Sequence, residues 1–65
     1  MTITTRDVDG GVRIVTLNRP PANAINLELI NDVERACAAA KDEDAVRAVV
    51  VTGSGKFFSG GIDLQ

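Results

Sequence analysis

A chain of 65 residues with a net charge of −2, a single cysteine and no histidine already excludes several kinds of protein. Cys37 cannot close an internal disulfide, and without an imidazole there is neither a zinc ligand set of the usual kind nor a base to activate a nucleophile. Phe57 and Phe58 are the only aromatic residues and charges of both signs are interspersed, so the chain offers no stacking platform and no basic stripe for nucleic acid. No apolar run approaches the length of a membrane span. The opening Met1-Thr2-Ile3-Thr4-Thr5 lacks the regions of a secretory signal. The expectation is one small cytoplasmic unit, of a size that buries only about 60% of its unfolded surface and is marginal by itself.

Ile3–Val8 and Val12–Leu17 are β-rich runs joined by Asp9-Gly10-Gly11. Asp-Gly supplies the positive φ that a tight connection needs, so an antiparallel hairpin is predicted. In the second strand Val12, Ile14 and Thr16 face one way and Arg13, Val15 and Leu17 the other. Asn18-Arg19-Pro20-Pro21 stops the strand, and the prolines are expected to hold the chain extended. Ala22-Asn23-Ala24-Ile25 then leads to a helix capped by Asn26. Leu29, Ile30, Val33, Ala36, Cys37 and Ala40 recur at helical spacing as one apolar stripe. Cys37 reads there as a small buried hydrophobe. Glu28 and Asp32 sit off the stripe, near the positive helix end, and Lys41 suits the negative end. Asp42-Glu43-Asp44 is a solvated corner, since three adjacent carboxylates cannot converge on one ion.

Ala48–Thr52 carries three consecutive valines with no polar alternation, the pattern of a strand buried on both faces. Parallel strands need a crossover of about a dozen residues or more, which residues 18–47 supply, so a right-handed βαβ unit places this strand parallel to Val12–Leu17. One helix covers one face only. The other face should meet something outside this chain, which makes residues 1–65 read as the opening piece of a larger α/β protein.

Past the strand lies a loop punctuated by Gly53, Gly55, Gly60 and Gly61. Two phosphate-loop readings fail on spacing. A Walker pattern ending at Gly55-Lys56 needs glycine where Val50 stands and Ser or Thr where Phe57 stands, and a dinucleotide fingerprint from Gly53 needs glycine at Phe58. What remains is a loop whose bare glycines let backbone approach a ligand. Amides near Gly61, Ile62 and Asp63 can then point at a developing negative charge, at the strand end where such ligands sit. Ser59 has no histidine partner and is a poor nucleophile. Asp63 reads as a helix N-cap or a structural hydrogen-bond acceptor before it reads as a catalyst.

The succession of hairpin, Leu17-Asn18-Arg19-Pro20, Asn23-Ala24-Ile25-Asn26, amphipathic helix, Val-Val-Val-Thr-Gly strand and Phe58-Ser59-Gly60-Gly61-Ile62-Asp63-Leu64 resembles the N-terminal part of the enoyl-CoA hydratase/isomerase (crotonase) superfamily. The resemblance covers nearly the whole chain. It implies an α/β fold with a ββα unit of the crotonase-like spiral, residues 1–65 being the first part of an acyl-CoA-binding domain. It implies hydration of a 2-enoyl-CoA or movement of its double bond, through an enolate held in an oxyanion hole. The Ile62 backbone N–H would be one donor of that hole. Ala22, Ala24, Ser59, Gly60, Gly61, Asp63 and Leu64 would form the acyl-CoA loop. No separate cofactor or metal is implied, coenzyme A being part of the substrate. The catalytic carboxylates and the second donor would lie after position 65, and the assembly would be a homo-oligomer, a trimer or a dimer of trimers. Pro21 stands where many members carry a cation, which leaves a phosphate contact there without a donor. An alternative of another class is a non-catalytic interaction module whose exposed sheet face docks a partner.

Overall fold

The computed structural model describes residues 2–63. Its elements are β1 (Ile3–Val8), β2 (Val12–Leu17), α1 (Leu27–Lys41) and β3 (Ala48–Gly53). They form one three-stranded sheet in the order β1-β2-β3. β1 and β2 are antiparallel, from Ile3 opposite Leu17 to Val8 opposite Val12. β3 runs parallel to β2, from Ala48 beside Val12 to Gly53 beside Leu17. The hairpin turns on Gly10 and Gly11, at φ 90° and 79°. The carbonyl of Gly11 also accepts from Arg47 N–H at 2.7 Å, so the hairpin turn sets where β3 begins.

The core lies between the sheet and α1. Val15 and Leu17 point at the helix from the central strand, with Ile3 across from Leu17 and Leu29 above them, and Ile25, Val33 and Ala36 close its edge. Asn26 caps the helix as expected, its Oδ1 accepting from Leu29 N–H at 2.9 Å.

Four expectations need correction. Asp32 is not off the buried face: it is 5% exposed and accepts from both the N–H and the hydroxyl of Thr2, at 2.8 and 2.9 Å. Helical spacing places it beside Leu29 and Ala36, where it anchors the start of β1 to the helix. Cys37 is exposed, not buried, and so is Ile30, because α1 packs over β1 and β2 and leaves the side toward β3 uncovered. β3 ends the sheet as an edge strand and α1 does not cover it, so the strand expected to be buried on both faces leaves Val49, Val50 and Val51 exposed; Val50 is 47% accessible. Pro20-Pro21 does not stay extended. The chain bends there into a turn closed by Asn23 N–H on the Arg19 carbonyl at 2.8 Å, and the Pro20–Pro21 peptide bond is cis.

The charged corner acquires a structural role. Arg13 reaches from β2 to both carboxylate oxygens of Asp7, at 2.7 and 3.0 Å, and to Glu43 at 2.6 Å. The Arg13 hydrogen bond holds the Asp7 carboxyl below its ordinary range. Among the described residues no helix is long and apolar enough to cross a membrane.

Candidate active-site loop

The loop begins where β3 ends. Gly53 allows it: a Cβ there would overlap the Phe57 carbonyl oxygen and stand 2.6 Å from Phe58 Cα, so only glycine lets residues 57 and 58 fold back over the strand end. Beneath that fold sits Asn23, 1% exposed and at φ 54°. Its Nδ2 donates to the carbonyls of Phe57 at 3.0 Å and Phe58 at 3.1 Å, with Ser54 at 3.3 Å sharing a proton. Its Oδ1 accepts from Arg19 N–H at 2.8 Å. A buried amide left without such partners is costly, about 1–3 kcal/mol per group, and here both ends are used.

Downstream, the chain is tied to residues 22–25 at successive points. Gly60 N–H donates to Ala22 O at 2.6 Å, and a Cβ on Gly60 would come 3.0 Å from Ala22 Cβ. The Ser59 hydroxyl donates to Asn23 O at 2.9 Å and accepts from Gly61 N–H at 3.1 Å. Ile25 and Ile62 form an isolated parallel bridge, in which Ile25 N–H donates to Gly61 O and Asp63 N–H to Ile25 O, both at 2.8 Å. Arg19 braces the same spot, with Nη1 on Ala24 O and Nη2 on Asp63 Oδ2, each at 2.9 Å.

That bridge fixes one more direction. The peptide unit between Gly61 and Ile62 is planar, so its C=O and N–H point opposite ways. With the Gly61 carbonyl turned toward Ile25, the Ile62 N–H faces away from it. No hydrogen-bond partner for this N–H is found among the described residues.

Ala22, Ala24, Ser59, Gly60, Gly61, Ile62 and Asp63 are therefore drawn into one patch; Leu64 lies outside the described residues. A cleft of about 380 Å³ opens there, lined by Arg19, Pro20, Pro21, Ala22, Ala24 and Asp63. On the other side, an apolar groove of about 390 Å³ between α1 and β3 includes Leu17, Ile25, Leu29, Val51 and Phe58. Neighbouring Ala24 and Ile25 thus line opposite spaces, as an extended segment requires. Sequence reasoning missed Asn23 and Arg19. The available signal was Asn23 itself, a residue type tolerant of positive φ, placed between alanines after two prolines.

Comparison with known proteins now settles the kinship. A family model described as enoyl-CoA hydratase/isomerase matches residues 7–65. This chain belongs to the enoyl-CoA hydratase/isomerase family. A probable enoyl-CoA hydratase, echA8 of Mycobacterium bovis, is 41% identical over 58 residues, covering 88% of this chain and 23% of that protein. The trans-2-decenoyl-acyl-carrier-protein isomerase of Streptococcus mutans is 39% identical over 59 residues, covering 89% and 22%. Among solved structures, enoyl-CoA hydratase EchA8_6 of Mycobacterium marinum superposes with a TM-score of 0.89 at 45% identity, over 98% of this chain and 30% of its own. The chain thus spans less than a third of the length of the relatives it matches. Within the hydratase/isomerase family fold, the described part is the hairpin, the crossover helix, the parallel strand and the loop that follows.

Proposed function

We propose that this chain contributes the acyl-CoA loop and one oxyanion donor to an enoyl-CoA hydratase or isomerase. The observation that carries the reading is the Ile62 N–H, turned outward by the Gly61–Ile25 hydrogen bond and without a protein partner among the described residues. Family membership and its relatives, named as a probable hydratase and an isomerase, support it.

Adding water across a conjugated thioester, or shifting its double bond, passes through an enolate with negative charge on the thioester oxygen. A main-chain N–H aimed at that oxygen gains strength as the charge grows, and one such preorganised donor is worth about 3 kcal/mol, some hundredfold in rate. The donor is backbone, so the Ile62 side chain is secondary. Ala22, Ala24, Gly60 and Gly61 bring bare backbone to the acyl-CoA. Ser59 and Asp63 work differently from direct ligands: the Ser59 hydroxyl is spent on Asn23 and Gly61, and the Asp63 carboxylate is engaged by Arg19. Proton transfer then falls to carboxylates outside residues 1–65, which decide between hydration and isomerisation.

The test uses the full-length protein. With a 2-enoyl-CoA, hydration removes the conjugated-thioester absorbance; with a 3-enoyl-CoA, isomerisation creates it. Absence of both reactions in a folded preparation refutes the proposal. The exposed valines of β3 favour a second, compatible reading, in which that edge docks further protein. Sedimentation of the full-length protein as a folded monomer would count against a docking role between copies and against a trimer.

A further inference from the structure

We propose that Asn23 is a positioning residue, whose buried amide and main-chain carbonyl together hold the loop so that the Ile62 N–H meets the thioester oxygen. The inference rests on the oxyanion reading above and goes beyond it. Asn23 touches neither substrate nor reacting atoms. It is the point to which both arms of the loop are fastened.

The first arm runs through its side chain. Nδ2 grips the carbonyls of Phe57 and Phe58, and Oδ1 is itself held by Arg19 N–H. The second arm runs through its backbone. Asn23 O accepts the Ser59 hydroxyl, whose oxygen accepts Gly61 N–H, so the residue before Ile62 is fastened to Asn23 through a single side chain. Arg19, which donates its N–H to Asn23, also holds Asp63 on the far side of Ile62. Ile62 is thus bracketed by two hydrogen-bond chains that begin at Asn23. The residue is nearly inaccessible, so water cannot readily stand in for a lost donor. Its φ of 54° adds a requirement that asparagine meets at little cost. Donors preorganised toward the developing charge are effective because they need no reorganisation during reaction; a loop free to sample other orientations loses that advantage.

The test replaces the donor and keeps the shape. Asn23→Asp retains size, tolerance of positive φ and the acceptor toward Arg19, but it presents an oxygen to the carbonyls of Phe57 and Phe58. In the full-length protein we expect kcat to fall about tenfold to a hundredfold, less than or equal to the loss of a whole oxyanion donor, while KM stays within about threefold. Ser59→Ala, which cuts only the second arm, is expected to lower kcat by a smaller factor and keeps the inference testable if the aspartate variant does not fold. A second readout separates positioning from folding: the vibrational band of the thioester carbonyl in a bound, unreactive acyl-CoA. In the unmutated protein the band is displaced to lower frequency by the hydrogen bond, and in either variant it should move back toward its free-solution position. A displaced band that stays displaced in the variants, with kcat falling only as the folded fraction falls, overturns the role of Asn23 and leaves the oxyanion reading standing. An unmutated protein whose band is not displaced refutes the oxyanion reading and, with it, this inference.

Discussion

Replacing Ile62 by proline and by alanine separates what its amide does from what its side chain does. Ile62 is 74% exposed among the described residues, so truncation to alanine forfeits only about a quarter of the 1.5–3 kcal/mol that full burial of such a group supplies, about 0.5 kcal/mol. The N–H is used by no described residue; the Ile25 bridge draws on Gly61 O and Asp63 N–H instead. Proline at position 62 therefore deletes a donor without breaking a hydrogen bond among the described residues, and the preceding glycine tolerates the ring. Stability of the full-length protein should change little in either variant. Activity should not behave alike: losing a donor worth about 3 kcal/mol lowers kcat by roughly a hundredfold, whereas Ile62→Ala should stay within about threefold. Steady-state kinetics, with calorimetric binding of an unreactive acyl-CoA and a thermal melt for each variant, measure all three quantities. Equal kcat for the alanine and proline variants, with both folded, would refute the reasoning, because packing and not the amide would then govern the site.

Two glycines should fail for different reasons. Gly53→Ala pushes a methyl into the backbone of Phe57 and Phe58, which Asn23 holds in place, and should lower stability by about 1–3 kcal/mol in chemical denaturation. Gly61→Ala meets nothing within 4 Å among the described residues, yet its φ of 108° should still cost of order 1–3 kcal/mol; a loss below about 0.5 kcal/mol would remove that argument. The Asp32 carboxyl is held below its ordinary value of 3.8, first by the Thr2 N–H and then by the Thr2 hydroxyl. A depressed folded-state pKa contributes stability above the unfolded value and loses it as pH falls through the folded one. Asp32→Asn should therefore be less stable than the unmutated protein near neutral pH, with the gap closing in melts taken progressively below pH 3.8; a gap independent of pH would contradict the assignment.

The local grammar could be read along the chain. Asp9-Gly10-Gly11 specified the hairpin, Asn26 the helix cap, and the valine run after a crossover-length segment a strand parallel to β2, because turn chemistry, capping and hydrophobic period act within a few residues of the chain. The glycine loop and its place after that strand were legible too, whereas the joining of Ala22 and Ala24 to residues 59–63 depends on hydrogen bonds that form only in the fold. Side-chain partnerships were not legible. Arg19 meets Asp63 44 positions away, and Asn23 meets Phe58 35 positions away, and no periodicity encodes such pairings. Nor did helical spacing say which flank of the apolar stripe would be covered. Only the placement of α1 over β1 and β2 buried Asp32 against Thr2 and left Cys37 and the β3 valines exposed. The direction of the Ile62 N–H belongs to the same class: it follows from a planar peptide whose carbonyl is already committed to Ile25, a commitment that exists only once the two segments lie side by side.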